Sequence, residues 1–199
     1  MNTPMYSPPW PSASMTSPRP RLGAVHATCG FTLIELLVTI TVAAILTAIA
    51  LPAMRTFVQN DRQWTQMNAL VMSMNAARSE AIKQDVANGV FVCPSANGLT
   101  CSNAAGAWGQ GWIVVSSAPG STPIMSVPAV STGSTLTEAT PLPAVTFLSN
   151  GMVAAAAAFT ICDSRGPSQA RYAQVTITGR VAASTTVGHR LDGTALTCP

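Results

Sequence analysis

The longest apolar stretch of the chain runs from residue 31 to residue 54 and contains 24 residues. As an α-helix rising 1.5 Å per residue it would span about 36 Å, enough for a hydrocarbon core about 30 Å thick. Glu35 is its single charged residue, and Pro52 lies near its end. This pattern predicts a membrane-spanning helix.

A helical period continues beyond this stretch, but on one side only. Apolar side chains recur every seven residues in two rows, one of Phe57, Trp64 and Val71 and the other of Met67, Met74 and Ala81, with Leu70 and Ala77 beside them. This spacing is typical of an amphipathic helix and predicts one helix from about residue 32 to residue 84. Two separate helices broken at Pro52 are the alternative.

After Asn88-Gly89 the pattern becomes that of β-strands. Segments rich in β-branched and aromatic residues predict strands at 90–93, 112–116, 145–148, 157–162 and 172–178. Asn150-Gly151 is typical of a hairpin turn. In the last segment Ala173, Val175 and Ile177 share one face, which predicts a half-buried antiparallel strand.

Two segments have compositions that predict little regular structure. Residues 1–29 are rich in Pro and Ser and are predicted to be disordered, with Met5 and Met15 as alternative translation starts. Residues 116–143 are rich in Ser, Thr and Pro and predict a long, mobile loop.

Charge is sparse and unevenly placed. Charged residues make up 9% of the 199 residues, and only seven lie from residue 86 onward, as is typical of exported β-rich domains. Arg19 and Arg21 precede the apolar stretch, which predicts that its N-terminal end faces the cytoplasm and that the following domain is exported.

Four of the five cysteines follow the apolar stretch, at positions Cys93, Cys101, Cys162 and Cys198. Neither histidine lies close to a cysteine pair, so disulfides in an oxidising compartment are favoured over a zinc site. Four cysteines allow three connectivities. We favour Cys93–Cys101, which closes a short loop, with Cys162–Cys198 holding the C-terminus; free or buried thiols are the alternative.

The sequence contains no convincing catalytic constellation. It has one lysine, Lys83, no phosphate-binding loop, and no HExxH or GxSxG motif. Asp163 and Arg165 are more typical of a turn beside a disulfide, and His189 next to Arg190 is typical of a solvated pair. We therefore predict that the protein is not an enzyme and has no metal site or cofactor.

The sequence from Gly30 to Glu35, GFTLIE, followed by a long apolar helix, resembles the processing site of type IV pilins and type II secretion pseudopilins. The resemblance implies that prepilin peptidase cleaves between Gly30 and Phe31 and methylates the new N-terminus. Glu35 then becomes the fifth mature residue, and Pro52 the twenty-second, where pilins also carry a proline. An ordinary signal peptide cleaved near residues 48–50 is disfavoured, because the apolar stretch exceeds the usual 7–15 residues and contains Glu35.

A physical role for Glu35 follows from this resemblance. A charged side chain at the centre of a bilayer costs about 2.5–3.5 kcal/mol on insertion scales. In a helical filament the carboxylate can approach the positive N-terminus of Phe31 on a neighbouring subunit. We therefore expect Glu35 to set the register of assembly. A charge tolerated near the membrane interface is the alternative.

The order of the later segments is similar to that of the GspH/FimT family of minor pilins and pseudopilins, from Gly30 to Val181, with Gly109–Trp112 and Cys162-Asp163 as the more specific landmarks. The resemblance implies an α+β, type IV pilin-like fold, with a long N-terminal helix, transmembrane and then amphipathic, packed on a β-rich C-terminal head. The expected divisions are a prepilin leader, the transmembrane and amphipathic halves of the helix, and the head, at residues 1–30, 31–54, 55–85 and 86–199.

The function that this resemblance implies is that of a minor pilin that joins, initiates or caps a pilus. Its expected partners are prepilin peptidase, other major and minor pilins, and the inner membrane. The expected location is the inner membrane, as a single-pass protein with its head in the periplasm, and later a pilus or pseudopilus. A GspH-like type II secretion pseudopilin is an alternative.

DNA is a further candidate partner, because some FimT-like members bind DNA through a Gly-Arg-x-Arg motif. The matching stretch begins at Gly179, but Ala182 replaces the second arginine, which weakens this interpretation. The candidate DNA-binding residues lie in the last 35 positions and are Arg165, Arg171, Arg180 and Arg190. A shared DNA site requires all four to lie on one exposed surface; an ordinary solvated face is the alternative.

Overall fold

The computed structural model describes residues 30–102 and 104–199. The segment predicted to be disordered, the basic residues before the apolar stretch and the alternative starts lie outside the described residues. A helix, α1 (Leu33–Gln84), precedes eight strands in the described ranges: β1 (Val90–Pro94), β2 (Gly111–Ser116), β3 (Met125–Pro128), β4 (Ser134–Glu138), β5 (Val145–Phe147), β6 (Ala157–Asp163), β7 (Arg171–Val175) and β8 (Val181–Ala183).

The chain divides into two compact units, one ending at Leu46 and the other running from Thr47 to Pro199. The prediction of one helix rather than two is confirmed, since α1 is continuous through Pro52. Pro52 has no N–H to donate to the carbonyl of Ala48, but its own carbonyl accepts a hydrogen bond from the Thr56 hydroxyl at 3.2 Å.

The buried face of α1 begins at Gln63. The row of Met67, Met74 and Ala81 is buried as predicted, together with Leu70 and Ala77. The other row is not buried, because Phe57 and Trp64 are 67% and 41% exposed. It is rotated by about 40–60° around the helix, away from Leu70 and Ala77, so it lies at the margin of the core.

Two antiparallel four-stranded sheets complete the second unit, with strand orders β3-β2-β1-β5 and β4-β6-β7-β8. In the first sheet Val90 of β1 lies opposite both Ser116 of β2 and Phe147 of β5. In the second, Phe159 of β6 lies opposite Ala173 of β7. Side chains from both sheets and from the buried face of α1 form one hydrophobic core.

The five predicted strands are present, but the prediction of a long loop at 116–143 is wrong, because β3 and β4 lie within it. Both are edge strands, and Leu136 is the fully buried residue of the pair. An edge strand with one solvated face needs few apolar residues, which explains why its composition resembles that of a loop. The short edge strand β8 was also not predicted.

The predicted strand at 172–178 ends early. β7 stops at Val175, and Ile177 is 48% exposed rather than buried beside Ala173 and Val175. The reason is a tight turn, in which the Gly179 N–H donates to the Thr176 carbonyl at 2.8 Å. The turn at Asn150-Gly151 is present as predicted, and the chain returns so that Val153 pairs with Phe147.

The structure contains the two disulfides favoured above. Cys93–Cys101 closes a loop at the end of β1, with Cα atoms 5.5 Å apart. Cys162–Cys198 joins β6 to the C-terminal segment, with Cα atoms 5.9 Å apart. Cys162 belongs to a small second core with Ala170, Tyr172 and Leu196.

Candidate assembly segment and head surfaces

The residues of the expected processing site lie directly before α1. Gly30 and Phe31 are exposed and precede the helix. The Thr32 hydroxyl accepts the backbone N–H of Glu35 at 3.2 Å, and the Thr32 carbonyl accepts the N–H of Leu36 at 3.1 Å. These bonds are typical of a helix N-cap, so Thr32 caps the helix, which begins at Leu33.

Glu35 lies in the first turn of α1 and is exposed. A carboxylate there interacts favourably with the positive end of the helix dipole. Within the described part of the chain, no basic group lies at ion-pair distance from Glu35. Thr32 and Glu35 also have the Thr-x-x-Glu spacing of a capping box, which is a helix-start signal in the sequence itself.

The apolar side chains of α1 from Leu33 to Met54 are exposed in the single chain. By length and composition α1 is able to cross a membrane. A continuous apolar surface of this kind is rarely left in water and is covered either by lipid or by other protein chains.

Arg165 does not lie free on the surface. Its guanidinium binds both carboxylate oxygens of Asp163, with an Nη2–Oδ2 distance of 2.7 Å, and its Nη1 donates to Asn60 of α1 at 2.7 Å. The side chains of Arg165 and Asp163 are 18% and 6% exposed. Burial raises the pKa of the Asp163 carboxyl, but the hydrogen bonds and charge of Arg165 outweigh it and hold that pKa below its ordinary value.

Arg171 is 7% exposed, and its guanidinium lies over the Trp64 ring. Burial, aided by the charge of Arg165, lowers its pKa. Arg180 and Arg190 are exposed, and the Arg190 guanidinium lies 5.7 Å from the Tyr172 ring centre. The condition for a DNA site shared by all four arginines, one exposed surface, is therefore not met, because Arg165 and Arg171 hold the second sheet against α1.

Several polar side chains that join α1 to the head were missed from the sequence. Ser73 is buried; its hydroxyl accepts a hydrogen bond from the Trp112 indole at 2.9 Å and donates to the Ala69 carbonyl at 2.8 Å. Gln63 is also buried, and Asn60 binds Arg165. A signal was available for Ser73, because it lies at helical spacing between Leu70 and Ala77.

The described residues include no group of three or more His, Cys, Asp or Glu side chains placed to hold a metal ion. The two described disulfides account for Cys93, Cys101, Cys162 and Cys198.

Two family models match the sequence. The model described as type II transport protein GspH matches residues 66–180, and that of the prokaryotic N-terminal methylation motif matches residues 26–51. The first match covers more than half of the chain. No curated protein matches the chain at a significant level.

The chain is also similar to two crystal structures of the type IV minor pilin FimU of Pseudomonas aeruginosa (strain PAO1). The structure in space group P21 has a TM-score of 0.50 and 21% identity, and the similarity covers 65% of this chain and 98% of that one. For the structure in space group P65 the values are 0.46 and 22%, with 59% and 88% coverage. At this identity the P21 structure supports the fold alone: a long N-terminal helix packed on antiparallel sheets.

Proposed function

The chain belongs to the GspH family of minor type IV pilins and pseudopilins, and from this premise we propose that it is a minor subunit that joins, initiates or caps a type IV pilus. Prepilin peptidase cleaves it between Gly30 and Phe31 and methylates Phe31. Before assembly it crosses the inner membrane once, with its head in the periplasm. The observation that carries this proposal is the exposed apolar half of α1, which begins two residues after the expected cleavage position and lies largely within the matched N-terminal methylation motif.

Glu35 is the residue we assign to the register of assembly. Its carboxylate lies four residues after Phe31, in the first helical turn. The positive N-terminus of Phe31 on a neighbouring subunit is the ammonium group that would neutralise this carboxylate in a water-poor filament core. The other major and minor pilins of the filament are the partners in this contact.

Pro52 is the second residue of α1 assigned to assembly. Because it donates no hydrogen bond, the helix is weakest in the turn between Ala48 and Pro52. We propose that this turn adapts the helix to its neighbours when the subunit leaves the membrane and enters the filament.

Determining the N-terminal residue of the mature chain tests the proposal. Mass spectrometry of the chain from its native host should show N-methylated Phe31, and Gly30→Glu should leave the leader attached, with Ala24→Glu in the leader as the matched control. Deletion of the gene should reduce piliation. An unprocessed chain, or a deletion mutant with normal pili and normal secretion, contradicts the proposal.

A type II secretion pseudopilin is the second candidate, because the matching family model is described as a type II transport protein. Both candidates share the processing and the assembly through α1. They differ in the deletion phenotype, since a pseudopilin predicts exoproteins retained in the periplasm with normal pili. A DNA-uptake role has less support, because Arg165 and Arg171 are engaged within the protein.

A further inference from the structure

Three large apolar side chains are exposed on segments that meet at one end of the head. Ile82 comes from α1, Met152 from the turn after β5, and Ile177 from the turn after β7, and they are 52%, 39% and 48% exposed. Isolated exposed apolar residues are common, whereas a cluster drawn from three separate segments indicates a binding surface. We call these three residues the apolar patch.

Close backbone contacts bring the three segments together. The Val153 N–H donates to the Ile177 carbonyl at 3.0 Å, which joins the two turns. Gly179 packs so closely against the Gly151 carbonyl that a Cβ atom would not fit, and a Cβ at Gly151 would lie 3.0 Å from Cδ1 of Ile82. Close packing against Gly151 therefore explains why position 179 of the Gly-Arg sequence is a glycine, independently of any ligand.

Two arginines flank the apolar patch. Arg180 follows Gly179 and is exposed, and the Nε atom of Arg78 lies 3.2 Å from the position of a Cβ at Gly179. Arg78 makes a long contact of 3.5 Å from Nη2 to the Thr178 carbonyl. Within the described chain, neither arginine is at ion-pair distance from a carboxylate. The patch thus combines aliphatic surface with two cations that lack an anionic partner.

This combination favours a protein partner over a nucleic acid. Single-stranded nucleic acids bind through aromatic side chains on which bases stack, and none belongs to the patch. Aliphatic side chains instead pack against aliphatic side chains, and guanidinium groups form their strongest hydrogen bonds with carboxylates. The complementary surface is therefore an apolar protein segment that carries Asp or Glu.

We propose that the apolar patch, flanked by Arg78 and Arg180, is the docking surface for an acidic, apolar segment of a neighbouring, different subunit of the filament. The inference rests on the proposed function, which supplies the neighbouring subunits. The contact lies on the head and is separate from the packing of the apolar half of α1. Such a contact would determine which subunit lies next to this one in the filament.

Photo-crosslinking with the full chain in filament-producing cells tests this proposal. A photoreactive residue, p-benzoylphenylalanine, replaces Ile177, where an exposed side chain tolerates the change. The matched control position is Leu99, which is exposed in the Cys93–Cys101 loop at the end of β1. The turn that contains Gly151 follows β5 and lies near the start of β1, so the control position and the apolar patch are at opposite ends of that strand. The same experiment is repeated with Arg180→Glu, which reverses the charge, and with Arg180→Lys, which keeps it.

The expected result is a crosslinked product at position 177 and none at position 99. Mass spectrometry should identify a different subunit with an N-methylation motif, crosslinked within a segment where Asp or Glu lies beside aliphatic residues. Arg180→Glu should lower the yield about tenfold or more, because like charges at an interface repel, and Arg180→Lys should retain most of it.

Several results overturn the proposal. No product at position 177 in cells whose filaments contain the processed chain overturns the docking surface alone. The same holds for a yield that is insensitive to Arg180→Glu, and for a product with nucleic acid or with a second copy of this chain. An unprocessed chain that is absent from filaments overturns the proposed function as well.

Discussion

The guanidinium of Arg171 lies 4.0 Å from the centre of the Trp64 ring, so the first residue of β7 is stacked on α1. In the turn between β6 and β7 of the same sheet, the Arg165 guanidinium donates a hydrogen bond to Asn60 of the same helix. The two contacts lie where the buried face of α1 begins. They hold the second sheet against α1 near Gln63, the first residue of that face. The part of α1 before this position lies outside the core.

We expect Arg171→Ala to lower the free energy of unfolding by about 2–3 kcal/mol, because it removes a desolvated cation–π contact and leaves space beside Trp64. Arg171→Lys should cost less, since the charge remains while the planar stacking is lost. Denaturant unfolding of the detergent-solubilised full chain, followed by circular dichroism, measures this. Equal losses for Arg171→Ala and for the exposed control Arg180→Ala would show that the stacking does not stabilise the fold.

The Asp163–Arg165 pair predicts a loss of stability in acid. Because the folded pKa of Asp163 lies below its ordinary value of about 3.9, the pair stabilises the protein fully above that pH and progressively less as pH falls below it. Asp163→Asn should cost about 2–3 kcal/mol at pH 7, and the difference from the native chain should shrink below about pH 4. Unfolding measured from pH 7 to pH 3 tests this, with the exposed Asp61→Asn as control. A difference that is unchanged in acid would contradict it.

The two disulfides should contribute unequally to stability. On the chain-entropy relation, the bond between Cys162 and Cys198, with a separation of 36 residues, contributes about 4 kcal/mol, and the bond between Cys93 and Cys101, with a separation of 8, about 2.5 kcal/mol. Replacing each pair by alanine and measuring unfolding of the full chain tests the order. The prediction fails if loss of Cys93–Cys101 destabilises the chain more.

Glu35→Gln should separate processing from assembly. The amide keeps the size and helical propensity of the side chain but has no charge to pair with the Phe31 amine of a neighbour. We expect cleavage after Gly30 to persist while the amount of the chain in sheared filaments falls at least about tenfold. Thr32→Ala is the matched control for the helix cap and should weaken the first turn by about 1 kcal/mol. Normal incorporation of the Glu35→Gln chain would remove the register role.

A salt series decides how many arginines contact DNA, if any do. Arg180 and Arg190 are the exposed members of the original set. If both contact phosphates, replacing both with Ala should make the slope of log K against log salt on duplex DNA less negative by about 1.8, which is about 0.9 for each contact. Four contacting arginines would together account for about 3.6 of the slope. Arg165→Ala and Arg171→Ala should lower stability without changing the slope. A slope that also becomes less negative on Arg165→Ala and on Arg171→Ala would restore the surface of four arginines.

Much of the helix and of the disulfide framework was accessible from the sequence. Met67, Met74 and Ala81 were recognised as buried because helical burial repeats along the chain, and local repetition is visible in one dimension. The strands β1, β2 and β6 also have a local signal, because each is a run of β-branched and aromatic residues. The sequence does not predict β3 and β4. Each is an edge strand, which only the sheet topology shows, and their hydroxyl-rich segments have the composition of a loop.

By itself the sequence determined the elements whose signal is local: an apolar segment with one carboxylate at a defined position, a helix continuing beyond it, and cysteines close enough to pair. The tertiary structure alone decided which charged side chains are bound within the protein and which are exposed to solvent. Arg165 and Arg180 have the same chemistry in the sequence, yet one is bound to Asp163 and Asn60 while the other lies free beside Gly179. The physical reason is that the surroundings of a charge are set by segments as much as 105 residues distant in sequence, which meet only when the sheets pack on α1.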